Sequence, residues 1–399
     1  MKYIVLLGDG MSDEAVKELD GKTPLQAAKT PNMDAMARRG RIGLAHTVPK
    51  GLPPGSDVAN LSVFGYDPRT CYTGRSPLEA ASMGVHLGPD DVAFRVNLVN
   101  LQPTRGTLVM RDYSAGHIST EEGRELIEAI QREIGGDEFQ FYPGVGYRHL
   151  MVWRNGKCDI TATPPHDISG QSILDYLPKG EGAERLINLM NSSQMILNNH
   201  PQYRKRLEAD KVPANSIWLW GHGKAPRIES FREKFGLTGA VISAVDLING
   251  IGIGAGLDVI RVTGATGYID TNYEGKVQAA LEALETHDYV YLHVEAPDEA
   301  SHSGNLAHKL QAIEDFDARV VGPIMDGIRR FGSYRILCTP DHPTPIRLKT
   351  HTDAPVPFIL YEGGESENGA VSGYDEDTAR ACGFVVEEGF RLMELLLGK

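Results

Sequence analysis

Several short stretches of this chain concentrate Asp, His and Ser in patterns that could do chemistry. Asp9 stands in Leu7-Gly8-Asp9-Gly10, Asp298 and His302 stand four apart in Ala296-Pro297-Asp298-Glu299-Ala300-Ser301-His302, Asp341 and His342 are adjacent after Thr339-Pro340, and His351 opens His351-Thr352-Asp353-Ala354-Pro355. Carboxylate oxygens with imidazole nitrogens are the ligand mix for borderline divalent cations such as Zn²⁺ or Mn²⁺. If the Asp298 segment is helical, its spacing puts Asp298 and His302 on one face. Adjacent Asp341 and His342 cannot point the same way in regular structure, so they suit two cations, one on each side. A pair of cations suits phosphoryl transfer, where it holds the attacking and the leaving oxygen. Taken singly, an Asp after a strand is more often a turn residue. The combination, repeated at one strand end after another, is hard to obtain from turn chemistry.

A second feature is Pro53-Pro54-Gly55-Ser56-Asp57-Val58-Ala59-Asn60. Rigid Pro-Pro and permissive Gly deliver the Ser56 hydroxyl to a helix start, where backbone N–H groups can receive a phosphate. A serine hydroxyl is a poor nucleophile until a base or a metal activates it. The competing role is a plain helix N-cap. No Glu or Gln stands at position 59 to complete a capping box. Beside the Asp/His set, the nucleophile is the better reading.

Positioning these groups requires strands that end at one edge. Lys2–Leu7 reads as a buried strand, followed by a helix capped at Thr30, started by Pro31 and ended by Gly40. Apolar runs at Ala240–Val245, Tyr289–Val294, Arg335–Cys338 and Val356–Leu360 alternate with helical patterns at Glu274–Thr286 and Asn305–Phe331, and Gly383–Leu397 reads as a closing amphipathic helix. Unalternating apolar strands separated by helices predict an α/β fold with a mostly parallel sheet sandwiched by helices. In such sheets ligands gather at the carboxyl ends of the strands. Residues 73–220 differ: short mixed segments at Phe94–Leu101 and Thr107–Arg111, a helix near Thr120–Ile134 and a polar helical region over 181–210 predict an inserted, smaller α+β domain. The main domain is then discontinuous, 1–72 with 221–399.

Composition excludes several function classes. With 53 acidic against 40 basic residues the formal charge is −13, which argues against a broad nucleic-acid or anionic-membrane surface. Apolar residues make up 41% and no run approaches a membrane span. The four cysteines form no CxxC pair, which fits a reducing cytoplasm. Gly250-Ile251-Gly252-Ile253-Gly254 does not fit a dinucleotide fingerprint, and Gly221-His222-Gly223-Lys224 lacks the spacing and the Ser/Thr of a P-loop.

These motifs in this order resemble the alkaline phosphatase superfamily and, within it, the archaeal type of cofactor-independent phosphoglycerate mutase, over nearly the whole chain. The resemblance implies that Ser56 is the phosphorylated nucleophile, that Asp9, Ser56, Asp341 and His342 hold one divalent cation, and that Asp298, His302 and His351 hold the other. Manganese is the commoner ion in that family, with zinc accepted in some members. The resemblance also places substrate contacts at His117 in Ser114-Ala115-Gly116-His117, at Arg148, at His166 and Asp167 after Pro164-Pro165, at Lys224, and at Lys234 in Phe231-Arg232-Glu233-Lys234. His117, Asp167 and Lys234 would take part in catalysis. The Phe-Arg-Pro-Asp-Arg stretch of the longer bacterial form is missing, and Trp218-Leu219-Trp220-Gly221-His222-Gly223-Lys224 stands in its place.

The activity so implied is interconversion of 3-phosphoglycerate and 2-phosphoglycerate without 2,3-bisphosphoglycerate, a step of glycolysis and gluconeogenesis, on a small phosphorylated substrate enclosed by the inserted domain. A phosphatase, phosphodiesterase, sulfatase or phosphopentomutase would use the same ligand set, and a homoserine-kinase-like activity is a further rival. A binding protein without turnover would need no nucleophile at Ser56.

Overall fold

A computed structural model describes residues 1–363 and 371–398, in two compact units. The first comprises Met1–Tyr72 and Arg227–Lys399, the second Thr73–Pro226. Position 220 lies inside the strand Ser216–Gly223, so the second unit runs on to Pro226 rather than stopping where the sequence pattern placed its end.

The first unit is α/β. Its eight-stranded sheet has the spatial order Asp258–Val259, Gly239–Ile242, Tyr289–Val294, Lys2–Gly8, Tyr334–Thr339, Val356–Tyr361, Arg41–Ala45, Val385–Val386. Neighbours are parallel except around Val356–Tyr361, which is antiparallel to both Tyr334–Thr339 and Arg41–Ala45. Every residue of Tyr289–Val294 is buried, because both faces are covered. Val290, Leu292 and Val294 join Ile4, Leu6, Ile336 and the helical Ala280, Leu284, Ile313 and Phe316 in one core. On the opposite face Tyr289 stacks on Phe231 and Tyr291 on Phe64, with ring centroids 4.5 and 3.9 Å apart.

The helix Pro31–Arg39 starts and stops at Pro31 and Gly40 as the sequence predicts, but the Thr30 side chain makes no cap bond. The Asp317 carboxylate does that work, accepting from the backbone N–H groups of Asn32 and Met33 at 3.2 and 2.7 Å. Asp317 opens a π-helical turn, Asp317–Val321, inside the predicted long helical stretch. The closing stretch is not one helix. Val385–Val386 pairs parallel with Leu44 and Ala45, a 3₁₀ turn covers Gly389–Arg391, and only Leu392–Leu397 is α-helical. Sheet pairing overrides helical periodicity there.

In the second unit the strand Val92–Thr104 lies between antiparallel partners Thr107–Asp112, Arg148–Trp153 and Ser216–Gly223, and Phe139–Val145 extends the sheet beyond Arg148–Trp153. The helices Thr120–Ile134 and Ala183–Asn199 supply Leu126, Ile127, Ile130, Leu186 and Met190 to its core. No helix among the described residues is long and apolar enough to cross a membrane.

Candidate active site

The Asp and His groups meet at one edge of the first unit's sheet. Asp9 follows Lys2–Gly8, Asp298 and His302 share the helix Ala296–His302 directly after Tyr289–Val294, and Asp341-His342 follow Tyr334–Thr339. His351 precedes Val356–Tyr361, whose antiparallel direction brings its beginning to the edge where the parallel strands end.

Ligand atoms converge in two sets that share an imidazole: Asp9, Asp341, His342 and Asp298, His342, His351, each with its atoms within 4.8 Å of one another. His342 Nε2 lies 3.2 Å from Asp341 Oδ2 and 3.7 Å from Asp9 Oδ1. His302 Nε2 lies 3.1 Å from Asp298 Oδ2 and 2.9 Å from His351 Nε2. His302 Nδ1 is 2.9 Å from the Lys349 carbonyl and His342 Nδ1 is 3.2 Å from Thr344 Oγ1. With Nδ1–H donating to those oxygens, each Nε2 is the ring atom turned toward the centre and ligates once free of a proton, the outer-shell arrangement typical of histidines that bind metals.

The electrostatics call for positive charge. Burial, then the neighbouring Asp341 and Asp298, push Asp9 well above the ordinary carboxylate range. Burial first raises Asp341, to about 6. Burial would also raise Asp298, but the His351 and His302 imidazoles bring it well below its usual value, and Asp298 in turn lifts His302 to about 9 against the opposing effect of burial. Asp9 Oδ1 is buried with no hydrogen-bond partner among the described residues. A partnerless buried carboxylate oxygen facing imidazole lone pairs fits divalent cations of the Mn²⁺ or Zn²⁺ kind.

Ser56 is the first residue of the helix Ser56–Val63, and Gly55 occupies the cap position. Its hydroxyl makes no cap bond; Oγ lies 3.1 Å from His342 Nε2. Asn60, one turn on, is fully buried and donates to the Ser56 carbonyl and to Asp341 Oδ2, both at 2.8 Å. Its Oδ1 accepts from the Tyr291 hydroxyl at 2.5 Å. The helix start is thereby fixed to the ligand loop. Gly10 crosses closest to Asp298: at φ +62 an added Cβ would lie 2.6 Å from Asp298 Oδ1.

In the second unit a chain of rings gathers part of the predicted substrate set. His117 lies 6.1 Å from Tyr147, Tyr147 5.8 Å from Tyr113, Tyr113 6.0 Å from His166, and His166 5.4 Å from Trp220, centroid to centroid. The Arg148 guanidinium sits 5.3 Å over Tyr147, and Asp167 is 3.7 Å from His166 Nε2. Lys224 is engaged elsewhere, donating to Asp90 at 2.9 Å. Lys234 belongs to the first unit, 4.9 Å over the Tyr66 ring.

A family model described as 2,3-bisphosphoglycerate-independent phosphoglycerate mutase matches residues 37–203. A Geobacter sulfurreducens protein named as a probable 2,3-bisphosphoglycerate-independent phosphoglycerate mutase is 82% identical over all 399 residues, covering the whole of both chains. The chain belongs to that family. A Methanosarcina barkeri mutase of the same name is 54% identical over 382 residues, 95% of each chain. Among solved structures, a Pyrococcus horikoshii protein matches with TM-score 0.82 and 30% identity over 100% of this chain and 96% of its own. The cofactor-independent phosphoglycerate mutase of Thermoplasma acidophilum matches with TM-score 0.64 and 28% identity, covering 100% and 99%.

Sequence reasoning passed over Asn60, Thr344 and His293, which touch the Asp/His set directly. In the second unit it also passed over Glu79, which pairs with Arg75 at 2.8 Å and with the buried Arg95 beside Trp220. Burial pulls the Arg95 guanidinium down to about 10. A signal for Asn60 existed, since it stands one helical turn from Ser56.

Proposed function

We propose that this protein is an isomerase that interconverts 3-phosphoglycerate and 2-phosphoglycerate without 2,3-bisphosphoglycerate, through a phosphoserine at Ser56. The observation that carries this reading is the Ser56 hydroxyl, 3.1 Å from the imidazole shared by both ligand sets. Asp9, Asp341, His342 and Ser56 would hold one divalent cation, and Asp298, His302 and His351 the other, manganese first and zinc as the alternative. Bound there, the cations supply charge neutralisation for the phosphoryl oxygens and acidify the Ser56 hydroxyl.

Ser56 Oγ attacks phosphorus in line, and its bond forms as the bond to the glycerate C3 oxygen breaks. With His342 Nε2 given to the cation, the proton that Oγ sheds is passed to the departing C3 oxygen, so that glycerate leaves as the alcohol. Asn60 keeps Oγ aimed by holding the Ser56 carbonyl. In the second half the C2 hydroxyl of glycerate attacks the same phosphorus and Ser56 Oγ departs. His117, Arg148, His166 and Asp167 are assigned to the substrate, supported by their association through one chain of rings. Lys234 and Lys224 are assigned there on resemblance alone. Four free cysteines support a reducing, cytoplasmic setting.

An enolase-coupled assay with 3-phosphoglycerate and no bisphosphoglycerate tests this. Wild type should turn over, and Ser56→Ala or chelator treatment should abolish turnover. Full activity in Ser56→Ala would refute the nucleophile, and stoichiometric release of free phosphate would make the protein a phosphatase.

A further inference from the structure

One buried imidazole at the centre belongs to neither ligand set. His293 is the fifth residue of Tyr289–Val294, fully buried, on the face that carries Tyr289 and Tyr291. Its Nε2 lies 2.8 Å from Asp9 Oδ2 and its Nδ1 3.0 Å from Ser243 Oγ. Ser243 Oγ already accepts from the Val245 N–H at 3.0 Å, so its own proton is available for Nδ1. His293 then carries its proton on Nε2 and donates it to Asp9. Its carbonyl accepts from the buried Lys276 amine at 3.0 Å, which holds the residue from the backbone side as well.

The two oxygens of Asp9 are therefore unequal. Oδ2 is taken by His293, and Oδ1 has no partner among the described residues. A carboxylate so held offers a cation Oδ1 in preference, because Oδ2 has one lone pair and part of its charge engaged by the His293 N–H. Ca²⁺ takes six to eight oxygen ligands and uses bidentate carboxylates freely, whereas Zn²⁺ is held by about four ligands with imidazole among them and Mn²⁺ by about six in an octahedron. We propose that His293 is a positioning residue that ties down Asp9 Oδ2, leaves Oδ1 as the preferred ligating oxygen, and thereby biases the site toward small transition-metal cations against calcium. The inference rests on the two-cation reading above.

The test is a pair of binding titrations on metal-stripped protein: Mn²⁺, followed by the electron paramagnetic resonance of the free ion, and Ca²⁺, followed by calorimetry. His293→Leu should weaken Mn²⁺ binding about 10- to 100-fold, the usual range for loss of an outer-shell partner, with a smaller loss for Ca²⁺. The Mn²⁺/Ca²⁺ affinity ratio should thus fall about tenfold or more. His293→Gln keeps an N–H to donate and should recover part of the ratio. If the leucine variant does not fold, Ser243→Ala is read in the same way, because it frees the imidazole to take the other tautomer. A ratio unchanged from wild type in the folded variants overturns the role of His293, whatever the absolute affinities. Failure of wild type to bind Mn²⁺ overturns the two-cation reading instead.

Discussion

Thr344→Val isolates one atom that serves both ligand sets. Thr344 is fully buried; its Oγ1 donates to Asp298 Oδ1 at 2.6 Å and lies 3.2 Å from His342 Nδ1, whose proton it receives. Valine keeps the shape and removes both bonds. Asp298 then loses a hydrogen bond to a charged group, about 1.5–3 kcal/mol, and the His342 N–H is left unsatisfied in a dry site, about 1–3 kcal/mol. The two losses pass through one hydroxyl and are not additive, so about 3 kcal/mol is the working figure. Were all of it to fall on cation binding, affinity would drop about 100-fold, at roughly 1.4 kcal/mol per tenfold. Competition with a fluorescent chelator measures that share, and the melting temperature of stripped protein measures the share that falls on folding. Thr344→Ser, which restores the hydroxyl, is the control and should return most of both. Affinity within twofold of wild type together with an unchanged melting temperature would refute the idea that this hydroxyl organises the centre.

Gly10→Ala forces a side chain into left-handed backbone, about 1–2 kcal/mol, and drives its Cβ to 2.7 Å from Thr344 Oγ1. Chelator competition should show at least about tenfold weaker cation binding, and wild-type affinity would count against the close crossing at Gly10. The second unit should lose stability in acid through His149, whose pKa burial lowers to about 3 from the usual imidazole value of about 6.5. The unfolded chain takes up the proton first, so stability is full above about 6.5 and falls toward pH 3, by up to about 1.4 kcal/mol per pH unit. Trp153, Trp218 and Trp220, the chain's three tryptophans, all lie in that unit, so urea unfolding followed by tryptophan fluorescence between pH 4 and 7 reads it; an equal slope in His149→Asn would dismiss the effect.

The convergence of Asp9, Asp298, His302, Asp341, His342 and His351 was legible because each is a ligand-type residue beside a strand that announces itself by an unbroken apolar run. Ser56 was legible because Pro-Pro-Gly marks a shaped turn before a helix. Thr344, Asn60 and His293 were not, because their types are ordinary in loops, helices and strands, and only tertiary contact sets them apart. His293 carried the strongest overlooked signal: an imidazole inside Tyr-Val-Tyr-Leu-His-Val must be buried on both sides, and a buried imidazole needs partners. The closing helix failed for the opposite reason. Its apolar spacing satisfies a helix, but Val385-Val386 are β-branched and have an open sheet edge beside Leu44 and Ala45 to complete.

His351 shows what strand-by-strand reading lacks, which is direction. A parallel strand at Val356–Tyr361 would begin at the far edge, and His351 would lie a sheet's width from Asp341. A parallel partner requires a crossover, usually a helix. Residues 340–355 carry Pro340, Pro343, Pro345 and Pro355 and form no helix, so the connection has to turn back along the edge it left, which only an antiparallel strand allows. That single return puts Asp341, His342, Thr344 and His351 on one loop. A loop of this length and proline content needs an anchor, and Lys309 supplies it from within the core. Its fully buried amine donates to the Thr344 carbonyl at 2.9 Å and to Asp13 Oδ2 at 2.7 Å, and the same Asp13 oxygen accepts from the Ile346 N–H at 3.0 Å. One lysine thus ties the loop after Tyr334–Thr339 to the loop after Lys2–Gly8. The ligand positions on those two loops are coupled before any cation arrives.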